Sequence, residues 1–104
     1  MSNQTNELRK LLSISKQEYD IRAEITASSK PDSYYKSKLE LLNKERNAIR
    51  AQLEDKLLSL SSVEFKIFDL RYLKGRSARS IAKRLNYSIS TIQHKLATIS
   101  SKLK

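Results

Sequence analysis

The chain has 104 residues, with 21 Lys and Arg against 11 Asp and Glu for a net charge of +10, and it carries one Gly, one Pro, one His, no Trp and no Cys. So few turn-forming residues exclude the repeated tight turns of sandwiches, barrels and meanders, and the missing cysteine excludes disulfides, thiol nucleophiles and thiolate metal sites. What remains is an all-α chain of long helices with few breaks.

In the first stretch, Leu8, Leu11, Leu12, Ile14, Tyr19, Ile21 and Ile25 recur at helical spacing. Their stripe is broad, which predicts cover from more than one neighbour. The segment Thr26 to Ser33 holds the only proline. Pro31 disfavours helix in the residue before it, and Asp32 or Ser33 can cap the next helix. In the second stretch Tyr35, Leu39, Leu42, Ile49, Leu53, Leu57 and Leu60 mark one face. Their spacing predicts one continuous helix from about Ser33 to Leu60. Glu18, Asp20 and Glu24 read as solvated carboxylates of an open helix. Residues 1–60 are thus expected to form a long, coiled-coil-like helical hairpin. A lone hairpin buries too little to stand by itself. The expectation is a homodimer through residues 1–60, with packing on the C-terminal half as the alternative.

Residues 61–104 are expected to form a compact helix-turn-helix domain. Ser61-Ser62-Val63-Glu64 has the form of a capping box, and the helix it opens runs to Gly75, where a left-handed C-cap fits. Val63, Ile67, Leu70 and Leu73 lie on one face of that helix. Phe65, Phe68 and Tyr72 lie nearly opposite, so it sits between two layers. Ser77 caps a short helix carrying Ile81, the small Ala82 and Leu85. Asn86 tolerates the left-handed backbone of a sharp turn. Ser88 then caps a last helix with Ile89, Ile92, Leu96, Ile99 and Leu103 as its buried stripe. Short helix, tight turn, longer helix is the helix-turn-helix order.

The charge is concentrated in this half. Residues 61–104 hold 10 basic and 2 acidic side chains, and no carboxylate follows Asp69. A one-sign segment of this length points to a polyanion, although charge alone leaves a solvated basic face open. A membrane surface is the other polyanion, but the apolar residues are better used in a core. No apolar run approaches a membrane span, and MSNQTNELRK lacks a signal-peptide core. The expected location is the bacterial cytoplasm or nucleoid, and the expected partner is double-stranded DNA. Ser90, His94, Ala97 and Ser101 lie opposite the buried stripe of the last helix, flanked by Thr91, Gln93 and Thr98. Small neutral hydrogen-bonding side chains of this kind can meet base edges in a major groove. Ser90, Thr91, Gln93 and His94 are the expected base readers. Lys74, Arg76, Ser77, Arg79, Ser88, Lys95 and Lys102 are the expected phosphate contacts. His94 has no second His, no Cys and no nearby acid. No catalytic residue, metal or cofactor is therefore expected, and the chain does not read as an enzyme.

The pieces LSSVEFKIFDLRYLKGRS, SIAKRLNYS and STIQHKLATISSKL resemble the four-helix DNA-binding module shared by region 4 of bacterial sigma factors and the LuxR-type regulators. Ser88, Thr91-Ile92 and Lys102-Leu103 fit the family pattern. Asn86 stands where that family commonly has glycine. Ile89-Ser90 replaces the Arg-Glu pair that sigma factors place at the start of the recognition helix, which implies a target other than an ordinary promoter element. The joining of such a module to a helical half in so short a chain resembles small phage late-transcription regulators of the RinA and ArpU kind. The resemblance implies a sequence-specific, phage- or mobile-element-encoded transcription regulator. Two other readings stay open. One is a small-terminase-like DNA-packaging subunit. The other is a sigma-like module that docks on RNA polymerase through exposed Phe65, Phe68 and Tyr72.

Overall fold

The computed structural model describes residues 6–27 and 32–104. Among them every regular element is helical, in the order α1 (Asn6–Ala27), α2 (Asp32–Gln52), α3 (Glu54–Leu57), α4 (Ser62–Phe68), a π-helical turn (Asp69–Leu73), α5 (Ala78–Leu85) and α6 (Ile89–Lys102). The break expected at Pro31 lies outside the described residues.

The hairpin half follows its apolar pattern, with two departures. The second helix does not run unbroken to Leu60. It tightens at Leu53, whose N–H is shared between the carbonyls of Ile49 (3.2 Å) and Arg50 (3.1 Å), and α3 ends at Leu57. Beyond it, Ser59 and Leu60 N–H groups bond only three residues back, to Lys56 and Leu57, and the Ser59 hydroxyl donates to the same Lys56 carbonyl at 2.6 Å. A side chain competing for the last carbonyls ends a helix. The chain is then free to enter the extended backbone of Ser61. The second departure is Tyr19, expected on the buried stripe but 74% exposed. The buried residues of α1 are Leu8, Leu11 and Ile14, all in its first half.

The C-terminal half starts with the expected capping box. The Glu64 amide donates to Ser61 Oγ (3.2 Å) and the Ser61 amide to Glu64 Oε1 (2.9 Å). After Phe68 the helix widens by one residue per turn: the Lys74 amide reaches back to the Asp69 carbonyl at 3.0 Å. It stops at Gly75, whose φ of +70° places it in the left-handed region. The π-turn rotates the side chains after Phe68 and lets Ile67, Phe68, Leu70 and Tyr72 all be buried. This helix packs on α6 and α5 on one side and on α1 on the other. Phe68 and Tyr72 therefore cannot form the exposed docking face suggested by the pattern; they are core, with rings 5.5 Å apart.

One cluster of buried residues runs through both halves. It joins Leu8 and Leu11 of α1 and Leu42, Ile49, Leu53 and Leu57 of the second arm to Ile67, Phe68, Ile81, Ile92, Ile99 and Leu103. Polar links reinforce it. Arg46 of α2 forms an ion pair with Glu18 of α1, both largely withdrawn from solvent, so Glu18 is not the solvated carboxylate expected. The molecule measures 43 × 29 × 27 Å with a radius of gyration of 15.0 Å, against about 13 Å for a compact chain of 100 residues. The excess fits a hairpin that outreaches the body it packs on.

Candidate nucleic-acid interface

Three short-range devices set the geometry of the last two helices. Ser77 caps α5, accepting from the Ser80 amide at 3.1 Å. Asn86 takes the left-handed conformation, φ 63°, that turns the chain after α5. The Tyr87 amide bonds back to the Ala82 carbonyl at 2.9 Å, which closes the turn. Ser88 caps α6, accepting from the Thr91 amide at 3.1 Å, and its hydroxyl lies 2.7 Å from Thr91 Oγ1. The small Ala82 of α5 is buried.

With the turn fixed, α6 buries Ile92, Ile99 and Leu103 and turns Ser90, Gln93, His94, Ala97 and Ser101 to solvent. Thr91, Lys95 and Thr98 are half-buried at the edges. The Thr98 hydroxyl donates to the His94 carbonyl at 3.2 Å, so it is spent within the helix. Ile89, expected in the buried stripe, is 38% exposed, because burial on α6 starts one turn later at Ile92. The outward face presents hydroxyl, amide and imidazole groups and no carboxylate.

The cations frame this face unevenly. Arg76, Ser77, Arg79 and Ser88 are exposed around the starts of α5 and α6, and Lys95 is half-buried on α6. Lys74 is exposed and pairs at 3.4 Å with Asp69. Lys102 is placed differently. Its ammonium lies 2.8 Å from Glu64 Oε1 and 3.4 Å from the Ser59 carbonyl, tying the end of α6 to the capping box of α4. The Lys102 bond and the Ser61 amide hold the Glu64 carboxyl below its ordinary range.

Several participants carried little sequence signal. Arg71 Nη1 donates to the Arg76 carbonyl at 3.0 Å and shapes the loop before α5. Lys83 and Arg84 add exposed charge to α5. Ser15 of α1 lies directly on the loop: a Cβ built on Gly75 would meet Ser15 Cβ at 2.8 Å, and Ser15 Oγ donates to the Tyr72 carbonyl at 3.4 Å. Gly75 was expected only as a left-handed C-cap, and nothing in the sequence pointed to Ser15. Among the described residues no group of three or more His, Cys, Asp or Glu side chains is placed to hold a metal, and no helix is long and apolar enough to cross a membrane.

Capped short helix, left-handed turn and exposed neutral second helix define a helix-turn-helix module. Residues 50–103, more than half of the chain, match the family model described as Sigma-70, region 4. The chain belongs to that family, which makes this half a DNA-binding, transcription-related and non-catalytic module. No curated protein and no solved structure matches the chain.

Proposed function

We propose that the protein is a sequence-specific regulator of transcription that reads double-stranded DNA through α6, and that it belongs to a phage or mobile element. The observation that carries this reading is the outward face of α6, exposed, small, neutral and free of carboxylate, set among cations. In this reading Ser90, Gln93 and His94 meet base edges, with Gln93 suited to adenine, and the Thr91 methyl meets a thymine. Lys74, Arg76, Arg79 and Lys95 neutralise phosphates, and Ser77 and Ser88 offer the helix starts they cap. Lys102 would have to leave Glu64 to join them.

A homodimer through residues 1–60 presents two such helices and reads a two-part site. Leu41, 58% exposed, and half-buried Ile21 give the hairpin an apolar edge for this contact. The test is selection of genomic fragments at two salt concentrations. One site that stays enriched at the higher salt, bound by a dimer, supports the reading; uniform salt-sensitive retention refutes base readout, and a ring of many copies favours the packaging alternative.

A second reading has one observation of its own. Leu58 is 83% exposed and lines a groove with Ala51, Leu57, Leu60 and Phe65, together with the charged Arg50 and Glu54. Such a groove suits an apolar segment of RNA polymerase, and none of its lining residues belongs to α6, so both contacts can coexist. Leu58→Asp would abolish polymerase binding and leave DNA binding intact.

A further inference from the structure

The first helix outruns the body it packs on. Its buried residues end at Ile14, and Ser15 rests on Gly75 at the end of the π-turn. Residues 16–27 then continue for about 18 Å of helix at roughly 1.5 Å per residue. The face that carries Leu8, Leu12 and Ser15 against the body continues, three and four residues at a time, through Tyr19, Arg22, Ala23 and Thr26. All four are exposed, and Arg22 also lines the groove between the two arms of the hairpin. The uncovered part of this face therefore starts beside the loop Lys74–Arg76, which leads into α5 and the proposed phosphate contacts.

The chemistry of the uncovered stretch is that of a backbone contact. Tyr19 offers a hydroxyl and Arg22 a guanidinium, and the stripe itself holds no carboxylate. Asp20 and Glu24 lie on the far side of the helix. Arg22 shares a shallow groove between the two arms with Lys36, Glu18 and Glu40, and Glu18 is already held by Arg46. The edge suited to a dimer, Ile21 with Leu41, points away from this stripe, so the arm can serve both contacts at once.

We infer that the projecting half of α1 is a second DNA contact, in which Arg22 and Tyr19 grip the phosphate backbone beside the stretch read by α6. The inference rests on the DNA-binding reading and lengthens its footprint past the helix-turn-helix. Each phosphate neutralised in B-DNA contributes about 0.9 to the slope of log affinity against log salt.

The test is a titration of a fluorescein-labelled mixed-sequence duplex of about 30 base pairs, by anisotropy, between about 50 and about 200 mM salt. Wild type is compared with Arg22→Gln, Tyr19→Phe and Arg76→Gln. The expected result is a slope lowered by about 0.9 in Arg22→Gln, with weaker low-salt binding in Tyr19→Phe and unchanged melting by circular dichroism, since neither side chain belongs to the core. If Arg22→Gln and Tyr19→Phe match wild type while Arg76→Gln lowers the slope, the arm contact is wrong and the module's own DNA contact stands. If wild type holds no duplex, or Arg76→Gln is silent as well, the DNA-binding reading falls with it.

Discussion

Gln93 and Lys102 lie nine residues apart on one helix and have opposite partners. Gln93 faces solvent with an uncommitted amide end, whereas the Lys102 ammonium is drawn back onto Glu64 at 2.8 Å. On the proposed target, Gln93→Ala is expected to cost about 1–3 kcal/mol and to relax preference at one base pair, with the salt slope unchanged; competition binding against single-base variants of the selected site checks this. Glu64 belongs to stability. Its carboxyl is held below the ordinary range by the Lys102 bond and then by the Ser61 amide, so its contribution is full above that range and is lost as pH falls through the lowered folded value. Thermal melts of wild type should therefore lose stability from about pH 5 downward. Glu64→Gln should already be less stable at neutral pH and should show a shallower loss over the same interval. An equal pH response in both proteins would show that Glu64 is not a source of it.

Among the elements, the contact of α1 with the π-turn decides how the hairpin sits. Gly75 serves two purposes there: its φ of +70° suits glycine, and its lack of a Cβ admits Ser15. Gly75→Ala is expected to destabilise by more than about 1 kcal/mol in a denaturant titration, and adding Ser15→Gly should recover the part due to the close contact but not the part due to backbone conformation. Full recovery would mean that the backbone is unstrained. The caps of α4, α5 and α6 were legible in the sequence because Ser61, Ser77 and Ser88 satisfy helix ends through local bonds. The left-handed turn at Asn86 was legible for the same reason. The π-turn was not, because its extra residue is set by packing Phe68, Leu70 and Tyr72 against two layers at once. Tyr19 was misread because helical spacing marks a face without saying how far along the helix the neighbour extends. Glu18 was misread because its partner Arg46 is 28 positions away, on another helix.

At the scale of the molecule, the hairpin and the helix-turn-helix share one core. A fragment of residues 61–104 would lose Leu8, Leu11, Leu42, Ile49, Leu53 and Leu57 from that core, at about 1.5–3 kcal/mol for each large apolar side chain withdrawn from burial. Such a fragment is expected to melt without a cooperative transition, and a sharp calorimetric peak from it would show a self-sufficient domain. The shared core also means that the hairpin's two exposed edges are held at fixed positions relative to α6. That rigidity gives the DNA-reading account a geometric consequence for the whole surface. Amide chemical-shift mapping of the labelled protein, titrated with the duplex selected from genomic fragments, is the most direct check. The account predicts the largest shifts at Ser90, Gln93, His94 and Ala97, with a second set at Arg76 and Arg79. Shifts confined to Leu58, Leu60 and Phe65, or an α6 outer face that does not respond, would contradict it.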